Sequence, residues 1–191
     1  MSDTITIASK GLEDALDGLA QLGADPSPAL RDVGTAWLSL VQLGFKVGKS
    51  PYGEPWAPLK VRAGQPLRDT RRLQNSFTFV VEGGGSDALL RLGTNTYYAP
   101  FHQFGAVIKP VKAKFLRFQI GGAQYAKALN INGKGGSTVY TKGPVVLPAR
   151  PFLPINALPA AWSGAATKAI NRKIAEIVAA AGDAQGAGNA A

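Results

Sequence analysis

Ser50-Pro51-Tyr52-Gly53-Glu54-Pro55-Trp56-Ala57-Pro58-Leu59 places three prolines and a glycine within ten residues. Proline lacks a backbone donor and has a fixed φ, so neither a helix nor a central strand can cross this stretch. The chain must therefore change character here. An exposed loop does not ordinarily carry a tryptophan, so the segment is expected to fold back and bury Trp56 over a core.

On the N-terminal side the pattern is helical. Thr4 to Ala8 alternates like a short strand. Leu12, Leu16, Leu19 and Leu22 then recur at helical spacing over Gly11 to Leu22. Asp25-Pro26-Ser27-Pro28 breaks that helix; Ser27 can cap the next one and Pro28 suits its first turn. Leu30, Val33, Trp37, Leu38, Val41 and Phe45 share one face of this second helix, which is expected to end near Gly48.

Beyond the proline loop the elements are short. Arg68 to Ser76 reads as a short helix. Phe77 to Val81 and Ala88 to Leu92 read as strands joined by the turn Glu82 to Asp87. Tyr97 to Phe104 is a compact aromatic turn stopped by Gly105. Val107 to Val111, Lys114 to Ile120 and Val145 to Leu147 are strand material. Helical spacing returns in Ala157 to Ala181, with Ile170, Ile174, Ile177 and Val178 as its inward stripe. The residues after Gly182 have the composition of a disordered tail. The class is α+β: a small antiparallel sheet packed by N-terminal helices and a long C-terminal helix, in a single domain over residues 1–181.

Gly121 to Gly143 is too long and glycine-rich for an ordinary core connection and is expected to protrude as a β-hairpin arm. Tyr125, Lys127, Leu129 and Ile131 fall on one face of its outgoing strand, and Ser137 to Thr141 can return. With Lys134 and Lys142 they form a surface suited to a neighbouring subunit with acidic side chains.

Charge narrows the function. The net charge of +9 is uneven: between Asp87 and Glu176 there are twelve bases and no acid. Such a one-signed stretch repels itself unless a partner, a nucleic acid or an acidic protein surface, or counterions neutralise it; the plain alternative is a solvated basic face. Catalytic constellations are scarce. His102 is the only histidine, it has no carboxylate near it in sequence, and Asp69 and Glu82 stand apart. Without cysteine there is no disulfide framework and no thiolate metal site. Gly83-Gly84-Gly85 lacks the Lys-Ser/Thr of a phosphate loop and reads as a turn. The expectation is a non-enzymatic protein without metal or cofactor. No apolar run reaches the ~20 residues of a membrane span, and no membrane partner is expected. Two rivals have definite signatures. Lys114-Phe115-Leu116-Arg117-Phe118 alternates bases with aromatics, as nucleic-acid binders do. A cavity holding Asp69 and His102 together would favour a hydrolase.

Three motifs occur in order. The first is Gly53-Glu54-Pro55-Trp56, followed by Leu67, Thr70, Leu73 and Ser76 in an L-x-x-T-x-x-L-x-x-S spacing. The second is Tyr98-Ala99-Pro100-Phe101-His102-Gln103-Phe104-Gly105. The third is Pro148-Ala149-Arg150-Pro151-Phe152-Leu153. Together they resemble the phage virion morphogenesis family, the tail-completion proteins of Mu-like and related tailed phages. Arg71 stands where that family commonly has glycine, and Pro154 where glycine is usual.

The resemblance implies a structural virion protein at the tail or neck, assembled in the host cytoplasm. It implies a ring of identical subunits, expected to be a hexamer, between the head connector and the tail tube or tail terminator, with DNA passing through its channel. In the second motif Tyr97, Tyr98, Phe101 and Phe104 are expected to pack together. Thr70 or Asp69 is expected to cap the turn leading to Leu73, and Arg150 to bond a cluster of carboxylates or carbonyls.

Overall fold

The computed structural model describes residues 10–59, 64–120 and 137–188. Five helices are found among them: α1 (Lys10–Ala24), α2 (Ser27–Val47), α3 (Arg72–Asn75), α4 (Ala99–Phe104) and α5 (Ala160–Gly188). The six strands are β1 (Phe77–Glu82), β2 (Leu89–Thr94), β3 (Ala106–Ile108), β4 (Leu116–Ile120), β5 (Ser137–Thr141) and β6 (Val145–Leu147). The fold is α+β. Its strands form three two-stranded ladders, β1-β2, β3-β6 and β4-β5, where one small sheet was expected. The proposed strand at Thr4 to Ala8 lies outside the described residues.

The chain divides into two compact units. One comprises residues up to Ser39, Thr78–Gly93 and the chain from Ala160 on; the other comprises Leu40–Phe77 and Thr94–Pro159. The first has ten acids against six bases and the second two acids against fifteen bases, so the +9 separates into −4 and +13.

In the first unit α1 packs against α5, and glycines allow close approach there and where α2 meets β1. A side chain at Gly18 would strike Ile177, and one at Gly34 would strike the Phe79 ring. The buried positions of α5 are Trp162, Ala169 and Ala181, whereas Ile170 and Val178 are exposed. Half of the expected isoleucine–valine stripe is thus corrected: Ile174 and Ile177 are half-buried, with Ile177 set against Gly18, while alanine and tryptophan take the fully buried places. Leu16 is likewise exposed, and Ala15 takes the inward place. Trp37 tilts against Trp162 with 5.9 Å between ring centroids and donates Nε1–H to the Trp162 carbonyl at 3.0 Å.

The start of α2 also differs from expectation. The Asp25 carboxylate accepts both the backbone N–H (3.1 Å) and the hydroxyl (2.5 Å) of Ser27. These bonds from Ser27 hold the Asp25 carboxyl below its ordinary pKa. At its other end α5 continues through Gly188, past the Gly182 at which disorder was expected to begin. The alanines and Gln185 there are good helix formers, and each intervening glycine costs only about 1 kcal/mol.

In the second unit the Ser50–Pro55 loop closes on itself. Ser50 N–H donates to the Glu54 carbonyl at 2.7 Å, and Trp56 N–H donates to the Gly48 carbonyl at 2.9 Å. Trp56 is thereby turned into the core, where it meets Phe45 edge-on at 5.3 Å. Phe45 also contacts Phe77 and Phe152. These four buried rings are the second unit's core, each contributing about 1.5–3 kcal/mol of burial.

Candidate functional site

The three motifs, far apart in sequence, are joined in the second unit by bonds from side chain to backbone. Trp56 donates Nε1–H to the Pro151 carbonyl at 2.7 Å. Arg150 donates Nε–H to the Ala57 carbonyl at 2.8 Å and an Nη2 proton to the Pro58 carbonyl at 3.2 Å. Its backbone N–H donates to the His102 carbonyl at 2.7 Å. Arg150 is 4% exposed, and burial holds its pKa below the ordinary value.

Gln103 completes the arrangement. Its Nε2 donates to the Leu153 carbonyl at 2.8 Å, while its Oε1 accepts the N–H groups of Phe152 (3.0 Å) and Leu153 (3.2 Å). A buried amide thus bonds the Phe152–Leu153 backbone as a neighbouring strand would. The placement of Gln103 reverses an expectation about the aromatic turn. Ala99 and Gln103, one helical turn apart, are the buried residues of α4, while Tyr97, Phe101 and Phe104 are exposed at 81%, 52% and 66%. A six-residue helix has room for one inward stripe, and the amide occupies it. In the sequence, the spacing of four between Gln103 and the small Ala99 is the signal that marks Gln103 as inward.

The motif residues of the first segment form a second cluster. Leu73 is buried. The Ser76 hydroxyl donates to the Leu73 carbonyl at 2.8 Å and lies 2.6 Å from the Thr94 hydroxyl, with Thr96 closing the group. Thr70 accepts the Arg72 N–H only at 3.4 Å. The residue before α3 is Arg71, which has φ 59° and no side-chain cap. Left-handed geometry costs an L-residue about 1–2 kcal/mol, so a glycine would suit the backbone at this position. The motif glycine Gly105 also has positive φ, 77°, and a side chain there would press on the Ala149 nitrogen and the Leu147 carbonyl.

Asp69, Thr70, Arg71, Tyr98, His102 and Arg150 border one cavity of about 310 Å³, which Leu67 and Leu73 also line. Tyr98 meets the His102 ring edge-on at 5.8 Å. Burial, and then the nearby Arg150 charge, hold the His102 pKa below the ordinary 6.5. Its Nδ1 is buried without a hydrogen-bond partner among the described residues. A catalytic imidazole is ordinarily oriented through this nitrogen by a carboxylate. A cavity holding Asp69 and His102 together is thus present, and among the described residues no group orients the imidazole through Nδ1. Among the described residues no group of three or more His, Asp or Glu side chains could hold a metal ion, and no helix is long and apolar enough to cross a membrane.

The strand Ser137–Thr141 was expected to return along a strand starting near Tyr125. It pairs instead with β4, with Leu116 opposite Thr141 and Ile120 opposite Ser137. A partner with matching alternation was available immediately before the glycines. Tyr125, Lys127, Leu129, Ile131 and Lys134 lie outside the described residues. Lys142 is described, and its Nζ sits 5.8 Å from the centre of the Phe115 ring.

The model of the phage virion morphogenesis family matches residues 7–179. The chain belongs to that family. It is also similar to Mu-like prophage FluMu G protein 2 of Haemophilus influenzae, at 39% identity over 94 residues. The aligned stretch covers 49% of this chain and 63% of that protein. No solved structure matches the chain. Phage virion morphogenesis is thus the established setting. Within the second unit, Trp56, His102, Gln103 and the Arg150–Leu153 segment of the three motifs are bonded to one another.

Proposed function

We propose that this chain is a structural subunit that completes the tail of a phage virion and joins it to the head. In this reading it acts by assembling with copies of itself into a ring beside the head connector and the tail tube or terminator. The family match over residues 7–179 carries the proposal. The surface of the second unit supports it. Val107 and Val146 face each other across β3 and β6 and are both more than half exposed, close in sequence to the exposed Phe101 and Phe104. Exposed aromatic and β-branched side chains at such density suit a protein interface. The residues between β4 and β5 are proposed to contact a neighbouring copy through Tyr125, Lys127, Leu129 and Ile131. Phage lacking the chain should accumulate separate heads and tails, and a particle reconstruction should place the chain at their junction. Normal particles without it would overturn the reading.

In this proposal the chain is not an enzyme. The cavity shared by Asp69 and His102 favours the one competing reading, a hydrolase. His102→Ala decides between them: a turnover abolished by this substitution in a folded protein establishes catalysis, while assembly unchanged with no turnover to lose supports the structural role.

A further inference from the structure

We infer that the outer face of the β4-β5 ribbon is a contact surface for a nucleic-acid strand, binding phosphates through Arg117 and Lys142 and bases through Tyr140 and Phe115. In the ladder Arg117 stands opposite Tyr140. Opposed residues of an antiparallel pair share a face, and so do residues two apart on one strand. Continuing the register by two residues brings Phe115 opposite Lys142, the pair joined by the 5.8 Å cation–ring contact. One face therefore holds two cations and two aromatics in a checkerboard, with Tyr140 63% and Phe115 41% exposed. On β4 alone the alternation offers a single aromatic to solvent, a weak stacking platform. The pairing with β5 supplies the second.

An acidic surface on another copy of the chain would leave most of this charge uncompensated. Lys109, Lys112, Lys114, Arg117 and Lys142 are exposed and form no ion pair among the described residues. Pairing the basic unit of one copy with the acidic unit of the next still leaves +9 on every subunit, whatever their number. A homo-oligomer cannot neutralise itself, so the balancing charge must come from outside. A nucleic acid offers both the phosphates that the cations need and the flat faces that exposed aromatics stack on. An acidic protein offers only the charge. This inference concerns the isolated subunit and does not depend on where the chain sits in a particle.

The test is fluorescence anisotropy of the full-length protein with a labelled single-stranded oligonucleotide, across a series of salt concentrations. Poly-glutamate and a duplex of equal length serve as competitors. Tyr140→Ala should weaken binding at least about fivefold while leaving the salt slope unchanged. Arg117→Gln with Lys142→Gln should reduce the slope of log affinity against log salt by about 1.4, two contacts at ~0.7 each for a single strand. Thermal melts confirm that the variants fold. Absence of binding at low salt would overturn the assignment. So would binding that poly-glutamate displaces as well as the oligonucleotide does and that ignores Tyr140→Ala, since the surface would then serve an acidic protein. Preferential displacement by the duplex with no effect of Tyr140→Ala would also count against it, because groove or backbone binding does not need the stacking face.

Discussion

The two units solve the problem of a small core in opposite ways. The first relies on regular helices whose packing is set by small residues such as Gly18, Gly34 and Ala169, trimmed by exposed ion pairs such as Arg172–Asp32 at 3.1 Å. The second has only short elements and is held by four aromatic rings and by side chains that bond distant backbone. In a long helix the backbone satisfies itself, so side chains need only fill space. In short segments many backbone groups have no regular partner, and Gln103, Arg150 and Trp56 supply one. The three motifs fall in the second unit, where few residue types can both fill a site and complete a bonding pattern.

Substitutions can break or sharpen this contrast. Trp56→Ala should have the largest effect, a loss of about 3–5 kcal/mol in chemical denaturation, because it empties a buried aromatic site and frees the Pro151 carbonyl. A change within ~0.5 kcal/mol would mean that the second unit does not depend on its rings. Gln103→Leu keeps bulk but leaves the Phe152 and Leu153 backbone groups buried without partners. It should cost about 2–4 kcal/mol, and a neutral result would show that water replaces the amide. Arg71→Gly should act in the other direction, raising stability by about 0.5–1 kcal/mol as left-handed strain is relieved against glycine's entropic cost.

A smaller effect is expected with pH. The folded His102 binds its proton less readily than the unfolded chain does. Stability should therefore fall as pH is lowered from about 6.5, and His102→Gln should flatten that part of the melting profile. An unchanged slope in the variant would assign the acid sensitivity elsewhere. In the first unit, Arg172→Ala removes exposed ion pairs and should change stability by no more than about 0.5 kcal/mol. A large loss there would erase the distinction between the units.

The sequence made the long elements legible because their signals are local. The α1 and α2 periodicities, the break at Asp25 to Pro28 and the β1-β2 turn all depend on neighbours within a few residues. The burial of Trp56 followed from the prolines around it. What was not legible depended on distant partners. The outward turn of Phe101 and Phe104 follows from Gln103 bonding a segment fifty residues away. The pairing of Ser137–Thr141 with Leu116–Ile120 was a choice between two plausible strands, decided by long-range register. The burial of Ala169 and Ala181 on α5, in place of Ile170 and Val178, depends on what packs against the helix, which the periodicity of isoleucine and valine does not report.

The register of β4 and β5 has a consequence for how such a chain can diversify. Ile120 and Ser137 are held opposite each other, so the two ends of the segment between them are fixed at the separation of paired strands, about 5 Å. A connection anchored in this way can lengthen or shorten at low thermodynamic cost, about 0.6 kcal/mol for each doubling. The ribbon's base thus separates inheritance of the fold from variation in the segment it carries. Insertions and exchanges there are expected to leave the ring cluster around Phe45 and the bonded motifs as they are.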